Sequence, residues 1–291
     1  MPNTRLPLAV VSLVLLLAAC AAGGAPASGS GEPSSQPPQG GVDHPTGSND
    51  IVLRMAEGGG FVPIEFAASQ APVFTLYGDG RVIFQQQQEV FLEPDADGIV
   101  RTPAWRIAQL DAGQIEELLT FALGPGGLGA ARDNYGNDMV ADAGTTTFTI
   151  DAGGVKKSVA IYALGMEGAP DADARKAFEQ LANRLRDFDS GGTIASDVYA
   201  PSAYRGVLIE REDVPPNVKP WPWQDLGIDD FKANVNGEGA MQFPHRALTA
   251  DEVAAMNLGD VSGGMQGLVL EGPDGKTYSF ILRPLLPDET E

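Results

Sequence analysis

Three short glycine turns, each set between runs rich in β-branched and aromatic residues, constrain this chain more than any other feature. Residues 73–77 and 81–84 flank Gly78-Asp79-Gly80; residues 145–151 and 156–162 flank Gly153-Gly154; residues 268–271 and 276–282 flank Pro273-Asp274-Gly275. Glycine admits the positive φ that tight hairpin turns require, and Val, Ile, Thr and aromatic side chains suit a pleated strand. Antiparallel hairpins are therefore expected to organise the fold, with residues 51–55 as a further strand ahead of Gly58-Gly59-Gly60.

Helix signals lie between the hairpins. At Leu110-Asp111-Ala112-Gly113-Gln114-Ile115, Asp111 is placed to cap, Gln114 to reach back as its capping-box partner, and Leu110 to staple onto Ile115. Ile115, Leu118, Leu119 and Ala122 then recur at helical spacing until Gly124-Pro125 stops them. Residues 171–188 carry Phe178, Leu181, Leu185 and Phe188 as one apolar stripe, with Lys176, Glu179 and Arg186 facing away and Gly191-Gly192 as the stop. Leu248-Thr249-Ala250-Asp251-Glu252-Val253 repeats the capping device with Thr249 and Glu252. The expected fold class is α+β: two lobes of antiparallel β-hairpins, each packed by a capped helix. The parallel between lobes suggests an internal duplication. Unequal spacing of caps and turns argues against a rigid repeat, so both readings stand at this point.

The start of the chain carries an address. Arg5 precedes an apolar run from Leu8 to Leu17 broken only by Ser12, and small residues follow, which is the three-part layout of a secretory signal peptide. Leu17-Ala18-Ala19-Cys20 resembles the lipobox of bacterial lipoproteins. That resemblance implies that residues 1–19 are removed and that Cys20 is the lipidation site, carrying a diacylglyceryl group as the first residue of the mature chain. The alternative is an uncleaved transmembrane anchor, which needs about 20 apolar residues and about 17 at the least. Residues 6–22 reach that limit only by including Pro7, Ser12 and Cys20, so lipidation is the favoured reading. Two acyl chains hold a protein stably where one does not.

Residues 20–49 are expected as the lipidated cysteine and a disordered Gly/Pro/Ser linker, with His44 a solvated residue within it. The first α+β lobe is expected over 50–192. An extended proline-rich connector follows over 193–225, containing Pro215, Pro216, Pro220 and Pro222 and a β segment at 206–210. The second lobe, with an acidic tail, occupies 226–291.

Composition narrows the function classes. Cys20 is the only cysteine, so an exported body has no internal disulfide and must be held by packing. The net charge is -20; phosphate binding needs clustered Lys and Arg, so nucleic acid is excluded as a partner. The same charge keeps the body off anionic headgroups. The expected partners are the membrane, through the lipid anchor, and an envelope protein or glycan.

Candidate chemistry is sparse. His44 falls in the linker and His245 in a loop, which leaves no Ser-His-Asp, Cys-His or zinc constellation. Gly275-Lys276-Thr277 imitates the end of a phosphate loop, but Leu270 stands where the required glycine would be. Glu93, Asp95, Asp97 and Gly98 imitate an EF-hand start, but Ala104 occupies the position of the bidentate Glu. The polar loop Asp133-Asn134-Tyr135-Gly136-Asn137-Asp138, with Asp142 and Thr145, offers hard oxygen ligands; the same residue types also build turns, and that reading is the stronger. No catalytic, cofactor or metal residue is assigned. Trp221-Pro222-Trp223 allows either a flat aromatic platform for sugar or peptide, or docking of the connector into the groove between lobes, and docking is favoured.

Several segments resemble a family of hypothetical lipoproteins of high-GC bacteria. They are Ile51-Val52-Leu53-Arg54, Gly59-Gly60-Phe61-Val62-Pro63, residues 74–80, residues 140–146, Tyr162-Ala163-Leu164-Gly165 and residues 282–289. The resemblance covers the body from end to end and implies lipid anchoring and a shared fold, with no activity attached. The expected function is a membrane-anchored exported lipoprotein acting as a non-enzymatic binding or envelope-assembly module. The alternative is a hydrolase acting on envelope polymers through carboxylates.

Overall fold

The computed structural model describes residues 41–87, 92–190, 193–233 and 243–289. The expected signal segment, Cys20 and the linker up to residue 40 lie outside the described residues. In chain order the elements are β1 (Ile51–Gly59), α1 (Ile64–Ser69), β2 (Pro72–Tyr77), β3 (Arg81–Phe84), β4 (Val100–Arg101), β5 (Arg106–Gln109) and α2 (Ala112–Leu123). Then come β6 (Asn134–Tyr135), β7 (Gly144–Ala152), β8 (Val155–Tyr162), α3 (Ala172–Arg186) and β9 (Ser196–Val198). The last group is β10 (Tyr204–Arg211), β11 (Lys219–Pro220), β12 (His245–Leu248), α4 (Ala250–Ala254), β13 (Met265–Glu271) and β14 (Thr277–Pro284).

The protein is α+β, with two sheets that are antiparallel in all but one pairing each. The first sheet has the order β6-β8-β7-β1-β2-β3-β5-β9 and the second β11-β13-β14-β10-β12, with β4 also on β13. β6 runs parallel to β8, and β11 parallel to β13. All three glycine turns form hairpins. Gly153 and Gly154 take φ of +57° and +74° between the paired residues Ala152 and Val155, a backbone that a side chain would strain. Gly80 and Gly275, at +84° and +79°, close the other two.

Helix α2 begins as its sequence dictates. The Asp111 carboxylate accepts from the Gln114 N–H at 2.9 Å, and the Gln114 side chain accepts from the Asp111 N–H at 2.9 Å. Its buried face, Leu118, Leu119 and Ala122, and the α3 stripe of Phe178, Leu181 and Leu185 cover one face of the first sheet, where Leu53, Met55, Phe74, Phe148 and Ile161 meet them. Phe188 follows α3 and stands edge-on to Phe74 and Phe84, with centroids 4.9 and 5.3 Å away. Full burial of side chains of this size contributes about 1.5–3 kcal/mol each. On a separate cluster Tyr77, Ile83 and Trp105 pack with Tyr199 and Leu286. The second sheet buries Leu268, Leu270, Phe280 and Leu282 against Val253 of α4 and the residues around Trp223. Thr249 caps α4 reciprocally with Glu252.

Two expectations need correction. The stretch 193–225 is no free connector: β9 extends the first sheet through β5, β10 is paired on both sides in the second, and β11 adds to β13. Its prolines restrict β11, where Pro220 occupies an edge strand that tolerates a missing N–H. The last residues of the expected linker also belong to the body. The Gly153 N–H donates to the Asp43 carbonyl at 2.7 Å, Val42 packs against the first core, and His44 is half-buried with Nδ1 2.7 Å from the Pro45 carbonyl. Of the two readings of the parallel between lobes, the pairing favours the one without a repeat: the hairpin after the capped helix joins the first sheet through its first strand, β7 on β1, but joins the second through its last, β14 on β10. A duplication would keep the same edge.

Candidate functional site

One end of the first sheet gathers three loops around a cleft. β1 pairs with β7 up to Gly59 opposite Gly144, but its pairing with β2 ends at Ala56 opposite Pro72. Glu57, Gly58 and Gly59 therefore have a strand neighbour on one side only. The chain leaves β1 through Gly59 and Gly60, with φ of +73° and +79°, and a Cβ at Gly60 would stand 3.1 Å from the Gly144 nitrogen. Bare backbone is what allows the loops to meet. The Phe61 N–H donates to the Asp142 carbonyl at 3.0 Å, and the Ala163 N–H to the Gly144 carbonyl at 2.8 Å.

The cleft measures about 530 Å³. Glu57, Gly58, Gly59, Phe66, Gln70, Gln85, Met166 and Arg186 line it from the first sheet and its loops, and Met265, Gln266, Leu282 and Arg283 from the second. Phe66 of α1 and Met166 of the loop after β8 are 49% and 48% exposed. Half-exposed apolar side chains bordering a cleft are what an interaction site offers a partner.

Charge in the cleft is internally compensated. The Arg186 guanidinium pairs with the Glu57 carboxylate, and Arg283 grips Glu289 through two bonds of 2.8 and 2.7 Å. Arg283 Nε is buried without an acceptor among the described residues. Amides and hydroxyls supply the remaining polarity: Gln85 donates to the Pro72 carbonyl at 3.1 Å and Gln266 to the Ser69 hydroxyl at 2.6 Å. Among the described lining residues Glu57 is the one carboxylate.

Arg175 of α3 fixes the loops behind the rim. It is 5% exposed, and its guanidinium donates to the carbonyls of Pro170, Tyr162, Ala163, Tyr135 and Gly136 at 2.9, 2.9, 3.5, 3.2 and 2.6 Å. Burial pushes this guanidinium down from its ordinary value, although an arginine stays protonated regardless. Two backbone oxygens of the polar 133–142 loop thus already serve a cation, Arg175. Asp133, Asp138 and Asp142 are exposed, and no cluster of three or more His, Cys, Asp or Glu that could hold a metal occurs among the described residues.

Trp221 and Trp223 lie elsewhere, in the second core. Trp223 is 8% exposed, and its Nε1 donates to the Glu252 carbonyl at 2.8 Å; Trp221 is half-buried and donates to the Leu226 carbonyl at 2.7 Å. Their rings meet at 78° with centroids 5.1 Å apart, and Phe231 and Phe280 pack on Trp223. They form neither a flat platform nor a wedge between lobes, because burying both indoles against one sheet satisfies their area and their N–H groups together. His245 sits half-buried in β12 with Nδ1 2.8 Å from the Phe243 carbonyl.

The cleft residues escaped sequence reasoning because glutamine, glycine and lone apolar side chains in loops follow no period. Two signals were available: the glycine triplet after β1 and the glutamine run that begins at Gln85. No model of a known protein family matches the chain, no curated protein matches it, and no solved structure matches its fold. No helix among the described residues is long and apolar enough to cross a membrane.

Proposed function

We propose that the chain is an exported lipoprotein, tethered to the membrane through Cys20, whose body is a non-enzymatic binding module with the glutamine-lined cleft as its site. The address rests on the signal-like start and the Leu17–Cys20 box. The observation that carries the binding reading is the cleft itself: half-exposed Phe66 and Met166 border a site whose described carboxylate, Glu57, is paired with Arg186. Glycosidase chemistry needs two carboxylates held a few ångströms apart, and the described lining offers one. The likeness to hypothetical lipoproteins of high-GC bacteria agrees with the address and adds no activity.

Two measurements test the two halves of this reading. Replacing Cys20→Ala should abolish metabolic labelling with a radioactive fatty acid and leave residues 1–19 attached; normal labelling and mass in that variant overturn the anchor. Incubating the full chain with soluble peptidoglycan fragments and with peptides should return every ligand chemically unchanged. Catalytic turnover that survives purification of the Phe66→Ser and Phe66 forms alike, and is lost in Glu57→Gln, would instead establish the hydrolase.

A further inference from the structure

We infer that the cleft takes an extended peptide segment, which adds as a short strand beside Glu57, Gly58 and Gly59 on the side that β2 leaves open. The inference rests on the binding-module reading and names the ligand class of that site. A strand with one neighbour keeps alternate N–H and C=O groups free for another chain, and strand addition to such an edge is a recurring mode of peptide recognition. Here the edge is built in: β1 continues three residues beyond its last β2 pair while β7 still supports it from the other side.

The residue types at this edge suit a visiting backbone. Gly58 and Gly59 carry no side chain, and on the sheet face a Cβ at Gly59 would meet no atom within 4 Å, so this stretch presents backbone rather than side chains to a neighbouring strand. Gln70 is positioned above it. Its Oε1 would stand 2.9 Å from a Cβ at Gly58, and an amide offers both the donor and the acceptor that a peptide unit needs. Side chains of an extended peptide alternate between faces. Those on the cleft side would meet the half-exposed Phe66 and Met166. The ion pair Arg186–Glu57 leaves that wall without net charge, which selects an apolar, uncharged segment. A sugar ring is the poorer fit, since it has no amides to complete a β ladder.

The test pans the immobilised full chain against a library of random dodecapeptides and, separately, against neutral oligosaccharides. The expected result is enrichment of an apolar peptide whose affinity falls at least tenfold when single backbone amides are N-methylated at alternate positions, and little at the positions between. Phe66→Ser, with a thermal midpoint like that of the parent, should also weaken it at least tenfold; Met166→Ser, in an exposed loop, serves if Phe66→Ser misfolds. Peptide binding without the alternating N-methyl pattern, or unaffected by these variants, overturns strand addition. Retention of oligosaccharides alone overturns the peptide class and leaves the binding module standing. Retention of neither defeats both.

Discussion

The guanidinium of Arg54 meets the carboxylate of Asp288, 234 positions away, at 2.6 Å, and Tyr77 donates its hydroxyl to the same oxygen at 2.6 Å. Beside it Glu289 is held by Arg283. Burial alone would raise both carboxyl pKa values, but the hydrogen bonds from Arg54 and Tyr77, and from Arg283, bring them below the ordinary 3.8 and 4.5. Burial also pushes the Tyr199 hydroxyl, bonded to the Leu285 carbonyl, up to about 12.

Acid should therefore loosen the 285–289 segment. A carboxylate whose folded pKa is depressed gives stability that is complete above its unfolded pKa and lost as pH falls through the folded value. The melting temperature is expected to drop once the pH passes below about 4.5, with the gap between the parent and Asp288→Asn closing in the same range. A gap that stays constant from pH 7 to pH 3 would contradict this assignment.

Arg175 is expected to be among the most sensitive positions. Replacing it with Met leaves buried carbonyls without donors, at about 1–3 kcal/mol for each group so exposed to desolvation. Arg175→Lys should recover little, because an ammonium cannot reproduce the planar fork. Urea denaturation of both variants is the measurement, and a Lys variant as stable as the parent would refute the five-carbonyl clasp.

The caps provide a smaller and more local effect. Asp111→Ala and Thr249→Ala should each cost about 0.5–2 kcal/mol. Unchanged denaturation midpoints in both would show that the reciprocal bonds contribute nothing.

Trp223→Ala should destabilise by about 3–5 kcal/mol, the range for removing a buried aromatic side chain. Half-buried Trp221 should cost less. Fluorescence of the parent should be blue-shifted and poorly quenched by iodide; ready quenching traced to Trp223 would contradict its place beside Phe231 and Phe280.

What the sequence discloses follows locality. Gly153-Gly154 and the Asp111 and Thr249 boxes act over a few residues, so their chemistry can be recognised in place. α1 has no side-chain cap at Pro63 and no buried residue, and β9 is a three-residue strand with mostly exposed side chains; neither leaves a periodic trace. β1 runs on through glycines that read as a turn, since β7 supports them from 85 positions away, Gly59 opposite Gly144. Nothing in the helical pattern sets Arg175 apart from the other polar positions, because its carbonyl partners lie in loops up to 40 residues away. The prolines beside the Trp pair suggest a docked connector, but the deciding factor is the apolar face of a sheet whose strands lie on both sides of the pair in sequence.

β4 gives a last consequence. Residues 100–101 leave the first sheet's portion of the chain to pair with Met265 and Gln266, just as residues 285–289 return to Arg54 and Tyr77. The second sheet thus gains a strand, and the first a set of side-chain bonds, from the other's stretch of sequence. Closing such long loops has to precede the contacts that reward it, which places the chain among slow folders, on the scale of milliseconds to seconds, despite its local hairpins. Neither half, synthesised alone, would hold all of these contacts, so separately expressed halves should regain the native structure only when mixed.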